Sequence, residues 1–567
     1  MGSVMEIRNR PLAVEDFLPA DMHPVLKRIY LGRGVGETQQ LDLSLGGLLP
    51  IGDLGGTGQA VDLMLAHRQK NSLVLIVGDF DADGATSTAL LIRGLKQLGF
   101  GRLGYLLPDR FLLGYGLTPA IVEIAGQRNP GLIVTVDNGI SSIDGVALAR
   151  KMGIDVLVTD HHLPGPLLPD ANVILNPNLR GENFSGKSLA GVGVAFYLLA
   201  ACERRLGASN AVAAGLLDLV ALGTVADVVP LERNNRILVE QGLRRIRAGR
   251  CCAGITALLE VAGRQPARAR ANDLGFAVGP RLNAAGRLDD MTIGVECLLA
   301  DQAPAARILA ARLDALNRER RGLEKKMAAE ALAIVDGLAL EQSAELPWGI
   351  CLFDPGWHQG LVGLVASRVR EKFSRPVVAF APGQGDELKG SARSVPGLHI
   401  RDALDEIATS HPGLLGKFGG HAMAAGLSLE RDRFASFAEA FDEVVRDRLG
   451  TEDLQAFHFS DGQLAEGDLD LTLAELVADA GPWGQGFPEP QFDGEFELIE
   501  QRVVGGSHLR LTLRSADGGR SLGGIAFSQS LPDNAGDRLR LVYRLEVNEF
   551  RGRREAQLNV IQMQALE

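Results

Sequence analysis

The chain is 567 residues long, 46% apolar, 23% charged and 5% aromatic, with 69 glycines, which is too long for one core and too apolar for disorder. Its five cysteines are scattered and form no CxxC pair, which excludes a disulfide framework and a thiolate zinc site and points to a reducing cytoplasm. The net charge of −12 taken alone argues against a nucleic-acid binder, yet a carboxylate-rich metal site would itself supply negative charge, so the balance does not decide the substrate.

Residues 1–50 show weak periodicity and read as an N-terminal extension; Glu6, Arg8, Arg10, Glu15 and Asp16 leave no room there for the apolar core of an export signal. Residues 51–300 alternate short apolar runs with helical stretches. Leu73 to Val77 leads into Asp79-Phe80-Asp81-Ala82-Asp83-Gly84 and then a helix over Thr86 to Leu98. Leu132 to Val136 leads into Asp137-Asn138-Gly139 and another helix, and Asp155 to Thr159 ends at Asp160-His161-His162. Continuous apolar strands alternating with helices predict an α/β fold with a parallel sheet covered on both faces. In such sheets functional groups gather at the carboxyl ends of the strands, where Asp79, Asp137 and Asp160 fall.

Leu189 to Cys202 is too short and Gly-rich for a bilayer span of roughly 20 residues and predicts a buried helix. Asp227 follows the apolar stretch Leu216 to Val225. Arg244, Arg245, Arg247, Arg250, Arg264, Arg268 and Arg270 crowd one short stretch and read as solvated helix faces. Residues 301–340 predict one long connector helix, with Leu309, Leu316 and Leu323 at a seven-residue repeat and Leu313 and Met327 on the same side. Residues 341–455 form a second α/β pattern, with strands at Gly349–Phe353 and Val377–Phe380 and a helix from Leu361 to Lys372. Residues 456–567 read as a further domain, and after Pro482–Pro488 the texture changes to five strand-like segments, Phe492–Val504, His508–Arg514, Ser521–Phe527, Arg538–Val547 and Glu555–Met563, which predict a small barrel of the oligonucleotide-binding type.

Asp79, Asp81 and Asp83 alternate in one loop after a buried strand. Like charges about 4 Å apart repel by roughly 4 kcal/mol at an effective dielectric near 20, so the loop needs a cation or wide splaying. A lone acidic triplet can be a solvated turn, and a lone strand-end Asp a helix cap. Four such acidic or histidine-bearing positions after apolar runs in one α/β domain fit a metal site better. Oxygen and imidazole ligands without thiolate suit Mn²⁺ or Mg²⁺, and their number fits two ions sharing a bridging carboxylate.

Asp-x-Asp-x-Asp-Gly, Val-Asp-Asn-Gly, Asp-His-His and Ala-Asp-Val, in this order, resemble the four motifs of the DHH phosphoesterases. Gly279-Pro280-Arg281-Leu282-Asn283-Ala284-Ala285-Gly286-Arg287, Gly390-Ser391-Ala392-Arg393-Ser394 and Gly419-Gly420-His421-Ala422-Met423-Ala424-Ala425-Gly426 are similar to the branch of that family that degrades single-stranded DNA 5′→3′. The resemblance implies that Asp81 and Asp137, completed by Asp79, hold one ion. It implies that Asp83, Asp137, His161 and Asp227 hold the other. His162 would face the scissile phosphate and Asp160 would orient the histidines. Arg281, Asn283 and Arg287 would contact DNA beside the metals, Ser391, Arg393 and His421 would grip phosphates from the second α/β domain, and Arg110 and Tyr115 would also meet the strand.

The function so implied is two-metal phosphodiester hydrolysis of single-stranded DNA, releasing 5′-mononucleotides in recombination and repair. The partners would be single-strand DNA-binding protein and a helicase, and the enzyme a cytoplasmic monomer away from membranes. A small-substrate DHH phosphatase or oligoribonuclease would leave the connector and barrel without a purpose. A non-catalytic DNA-binding scaffold would have lost metal ligands that this chain keeps.

Overall fold

The computed structural model of the chain describes residues 6–12, 14–109, 113–208, 212–341, 346–450, 452–454, 457–506, 508–516, 519–532, 535–550 and 552–566. Two compact units emerge: Met1–Asp314 together with His458–Glu567, and Ala315–Phe457. The first unit is therefore built from both ends of the sequence.

Its sheet contains β1 (Val74–Val77), β2 (Leu103–Leu106), β3 (Leu132–Val136), β4 (Asp155–Thr159) and β5 (Val173–Leu175), in the spatial order β2-β1-β3-β4-β5. Every neighbouring pair is parallel. All residues of β1 and β3 are buried, which is why both read as unbroken apolar runs. The order turns back on itself between β1 and β3. At such a switch point the loops leaving two adjacent strands diverge and open a crevice at their carboxyl ends.

Five helices matter for the site: α1 (Ala82–Gln97), α2 (Gly191–Arg205), α3 (Leu217–Ala226), α4 (Gly279–Leu288) and α5 (Ala303–Glu341). Helix α2 is buried from Gly191 to Glu203, as its apolar sequence predicts. No helix among the described residues is long and apolar enough to cross a membrane. Five of the seven arginines in the rich stretch make ion pairs: Arg244 and Arg247 with Glu240, Arg245 with Asp218, Arg264 with Asp273 and, 281 residues away in sequence, Arg268 with Glu549.

Helix α5 buries a stripe that takes Leu313 and Met327 from the predicted side but sets the leucine repeat at its edge. Its buried positions are Ala306, Ala310, Leu313, Asn317, Arg320, Glu324, Met327, Ala331 and Val335, while Leu309, Leu316 and Leu323 are half-buried beside them. The stripe keeps a period near 3.5 but is filled by small and polar side chains. Polar burial is tolerated because the group is self-sufficient: Arg320 donates to Asn317 at 3.1 and 3.2 Å and to Glu324 at 2.7 Å, and Arg368 donates to Glu324 at 3.1 Å.

The second unit carries a five-stranded sheet of β6 (Ile350–Phe353), β7 (Val377–Pro382), β8 (Glu387–Arg393), β9 (Phe418–Gly420) and β10 (Ala424–Glu430), ordered β9-β10-β8-β7-β6. Only β6 and β7 are parallel, joined by the helix Val362–Phe373. The other pairs are antiparallel.

The last region closes into a five-stranded barrel: β11 (Phe492–Val504), β12 (His508–Ser515), β13 (Ser521–Ala526), β14 (Arg538–Phe550) and β15 (Arg553–Ala565). The N-terminal segment is tied to the stretch before it. Arg33 binds the Asp461 carboxylate at 2.7 and 2.9 Å and the Pro488 carbonyl at 2.7 Å, and the Tyr30 hydroxyl donates to the Ala480 carbonyl.

Candidate metal centre and nucleic-acid interface

The loop leaving β1 turns into α1 within a few residues. Asp81 caps that helix, its Oδ1 accepting the backbone N–H groups of Asp83 and Gly84 at 3.0 Å each. Gly84 is required by the closeness of the turn, since a Cβ there would lie 2.6 Å from the Asp79 backbone nitrogen and oxygen. Asp83 is buried, and its two oxygens accept the N–H groups of Gly191 (2.6 Å) and Val192 (2.9 Å) at the start of α2. The helix N-terminus favours the carboxylate, but burial and the neighbouring Asp227 push its pKa up to about 8.

Asp137 leaves β3 in the left-handed region, φ 62°, which a short polar side chain tolerates better than most. Asn138 donates from Nδ2 to the carbonyls of Val77 (3.1 Å) and Val136 (2.8 Å) and so stitches β1 to β3 where the loops part. Burial, then Asp83 and Asp81, hold the Asp137 carboxyl far above its ordinary range.

Asp160 at the end of β4 is buried and organises the histidines. Its Oδ1 accepts the N–H groups of His161 (2.7 Å) and His162 (3.1 Å) and lies 2.7 Å from His162 Nδ1, while Oδ2 accepts the Ile140 N–H at 2.9 Å. Burial works to raise this carboxyl, and the bonds from His162 and the backbone outweigh it and hold it below its ordinary value. On His162 burial works the other way, but the Asp160 partner raises the imidazole to about 9. His161 is held neutral by burial and by His162 beside it, the state in which imidazole binds a cation.

These groups converge. Candidate ligand atoms of Asp79, Asp81 and Asp137 lie within 4.8 Å of one another, as do those of Asp83, His161 and Asp227 and those of Asp137, His161 and His162. His161 Nε2 is 3.1 Å from Asp137 Oδ1 and 3.5 Å from Asp227 Oδ2. All three atoms are buried and make no hydrogen bond. Burial and Asp81 raise Asp227 to about 7. Buried polar atoms left open on this scale are costly unless something fills the space between them. An oxygen- and imidazole-binding divalent cation fits the donor set.

The remaining expected residues are placed as follows. Arg110 lies outside the described residues. Tyr115 stands over the site, its hydroxyl 3.4 Å from the Asp137 carbonyl oxygen and from His162 Nδ1, its ring edge-on to Phe80 and His162. Asn283 turns its carbonyl to the acidic loop and accepts the Ala82 N–H at 2.7 Å. Gly286, one helical turn on, lets α4 lie directly on that loop, for a Cβ there would overlap the Phe80 carbonyl. Arg281 is held inside the first unit by Asp314 (2.8 Å) and by the Ala277 carbonyl (2.6 Å), and Arg287 is half-buried on the same helix. The sequence grouped these three as DNA contacts; the structure gives Asn283 and Arg281 supporting bonds of their own.

In the second unit, strand register brings the other candidates together. Arg393 faces Ala424 and Ser391 faces Gly426 across β8 and β10, and His421 closes the turn from Gly420 to Ala424. Arg393 donates to the Ser391 hydroxyl at 3.0 Å and to the Ala392 carbonyl at 2.8 Å. Among the described residues no carboxylate pairs with it. Burial and the nearby Arg370 lower its pKa, the signature of a cation short of an anion.

Residues 73–224 match the DHH family, N-terminal domain, residues 346–447 the DHHA1 domain and residues 460–562 the RecJ OB domain. The single-stranded-DNA-specific exonucleases RecJ of Salmonella typhimurium and Escherichia coli are each 52% identical over 98% of this chain and 99% of their own. The chain belongs to the RecJ family. The crystal structure of Thermus thermophilus RecJ in complex with Mn²⁺ covers 99% of this chain and 79% of its own at 30% identity and a TM-score of 0.83. The Mg²⁺ complex of the same protein gives a TM-score of 0.77 at 28% identity.

Against the RecJ-family motifs, sequence reading missed the residues that hold the histidine turn in place. Asn176 Nδ2 donates to the His162 carbonyl at 2.9 Å, and Asn178 Nδ2 to the His161 carbonyl at 2.6 Å. Their signal was the Asn-Pro-Asn immediately after β5, a strand of three residues that periodicity does not reveal. Gly191 was also missed. A Cβ there would stand 2.6 Å from Asp137 Cβ, so its absence lets α2 approach both Asp83 and Asp137.

Proposed function

We propose that this protein is a metal-dependent exonuclease that degrades single-stranded DNA 5′→3′, releasing 5′-mononucleotides at a two-ion site, in recombination and repair. The observation that carries the reading is the convergence of buried Asp137 Oδ1, His161 Nε2 and Asp227 Oδ2, none with a hydrogen bond, beside Asp79, Asp81 and Asp83. Asp79, Asp81 and Asp137 would hold one Mn²⁺ or Mg²⁺ ion, and Asp83, Asp137, His161 and Asp227 the other. When bound, the ions supply Lewis acidity at phosphorus and an activated water.

The chain's own residues do the rest. Asp160 fixes the His162 ring through Nδ1 and keeps it protonated at neutral pH, so Nε2–H can donate to a phosphate oxygen or to the leaving oxygen. Arg393, Ser391 and His421 would hold phosphate, and the barrel would add affinity for the strand. A helicase to expose the strand and a single-strand DNA-binding protein to keep it extended are the partners such a substrate requires. Free cysteines suit a cytoplasmic enzyme, and we take it to act as a monomer.

The test is digestion of 5′- and 3′-labelled single strands and duplexes with Mn²⁺ and Mg²⁺ compared. Mononucleotide release from the 5′ end of single strands is expected. Release from the 3′ end, or equal attack on duplex, would overturn the reading.

A further inference from the structure

Phe276 is 82% exposed, the highest value among the large hydrophobic side chains of the described residues. It lies in a single π-helical turn, Leu274–Val278, in which Leu274, Ala277 and Val278 are buried. The backbone is thus anchored on both sides of a ring held in water, which forgoes the gain from burial. Isolated π-turns concentrate at functional positions, where the inserted residue redirects a side chain.

The anchoring leads to the metal centre. Gly275 packs against Val225 near the end of α3, two residues before Asp227, and a Cβ on it would sit 3.1 Å from the Val225 side chain. The Ala277 carbonyl accepts from Arg281 at 2.6 Å. The turn then runs without a break into α4, where Asn283 holds the Ala82 N–H of the acidic loop. Phe276 and Asn283 are seven residues apart, about 10 Å along a helix axis at roughly 1.5 Å per residue. Phe276 itself is flanked by Gly275 and Ala277 and has nothing to offer a phosphate. Its open π-face can take a base of any identity, as a sequence-independent single-strand nuclease needs.

We infer that Phe276 is a stacking platform for one nucleobase of the bound strand, about 10 Å along the helix axis from the residue that holds the acidic loop. The inference rests on single-stranded DNA being the substrate. It assigns a subsite to a side chain outside the motif residues.

The test uses the full chain and its Phe276→Ala and Phe276→Trp variants on a single-stranded oligonucleotide, with KM and kcat measured separately. A second series carries one abasic residue walked along the strand. Phe276→Ala should raise KM about 5- to 150-fold with kcat unchanged, the range of one lost base–aromatic stack. Phe276→Trp should restore KM. Wild-type KM should rise when the abasic residue occupies one particular position, and Phe276→Ala should ignore that position. The salt dependence of KM should be the same in all variants, because no phosphate contact is lost.

A wild-type KM for Phe276→Ala overturns the inference. So does a variant that still responds to the abasic position as wild type does. If wild-type protein fails to cleave single strands at all, the functional reading fails instead, and the two outcomes are distinct.

Discussion

The parallel sheet carries a histidine–aspartate cluster at each end, and the two differ in what they leave open. At the amino end, His67 Nδ1 is 2.7 Å from the Ser72 hydroxyl and Nε2 is 3.0 Å from Asp155. The order Ser–His–Asp imitates a hydrolase triad, but Ser72 and His67 close on Gly131, where a Cβ would lie 2.8 Å from the Ser72 oxygen. Both ring nitrogens of His67 are answered within the cluster. At the carboxyl end, His161 Nε2 sits between two aspartates at similar distances and answers neither with a hydrogen bond. Residue types and distances are nearly the same; what separates a clasp from a site is whether the polar atoms are satisfied among themselves. The same contrast divides the cations: Arg33 is sealed against Asp461, whereas Arg393 has only a hydroxyl and a carbonyl.

The largest test of that contrast is removal of a candidate metal ligand from the carboxyl end. Asp83→Ala and His161→Ala should each lower turnover on single-stranded DNA at least about 10³-fold, or about 4 kcal/mol of barrier, with the fold retained by circular dichroism. Without metal, Asp227→Ala, which removes a raised carboxyl whose Oδ2 has no hydrogen bond, should melt at or above wild type, because carboxylate repulsion is relieved. Removal of a closed group should do the reverse. Asp461→Ala strands the buried Arg33 and should cost about 3–5 kcal/mol of stability in a denaturant titration. Arg393→Ala tests an open cation. We expect KM for single strands to rise by the equivalent of about 1.5–3 kcal/mol, with kcat less affected than by loss of a metal ligand. If instead kcat collapses at normal KM, Arg393 belongs to the chemistry. His67→Ala should cost about 1–3 kcal/mol of stability and leave kcat at the wild-type value, and a loss of turnover would mean that the two ends of the sheet are not independent.

The smallest effect concerns pH. Asp83 and Asp227 stand at about 8 and about 7 in the metal-free protein, and Asp137 is raised as well. Carboxyls raised above their unfolded values keep a proton that the unfolded chain has already lost. Their contribution is therefore full at low pH and disappears as pH climbs through 7 and 8. Metal-free protein should melt a few degrees lower at pH 8.5 than at pH 6, and saturating Mn²⁺ should remove most of that slope, since binding displaces the same protons. A metal-free melting temperature that rises over this interval would contradict the buried, repelling carboxylates.

The elements most legible in the sequence were those whose burial is uniform. The strands β1, β3 and β4, the helix α2 and all five barrel strands were readable because buried runs and regular alternation follow directly from packing on one or two faces. The edge strands β2 and β5, only four and three residues long, offered no such pattern. In the second unit, Glu387–Arg393 and Ala424–Glu430 pair as strands although their sequences are rich in glycine, serine and alanine. Tertiary pairing there overrides weak propensity. The acidic and histidine residues of the site were legible one by one because each follows a strand or helix end. Their supports were not: Asn138, Asn176 and Asn178 act through backbone carbonyls, and Gly191 and Gly286 act through an absent Cβ, and neither leaves a mark on composition or period. Helix α5 shows the opposite error: of the predicted side only Leu313 and Met327 are fully buried, because a satisfied Asn–Arg–Glu group occupies positions expected to be apolar.

The first unit draws on both ends of the sequence, and this has a consequence for synthesis. Residues 315–457 lie between its two parts, so at about 5–20 residues per second the ribosome needs roughly 7–30 s between delivering Asp314 and His458. During that interval Arg33 and Tyr30 have no Asp461 or Ala480 to meet, while every strand of the second sheet, from Ile350 to Glu430, is being made. The order of completion in the cell is then inverted relative to the order of translation. The domain that starts first finishes last, and the nascent chain carries its aspartate-lined cleft through that wait before Asp461, Ala480 and Pro488 arrive to hold the N-terminal segment.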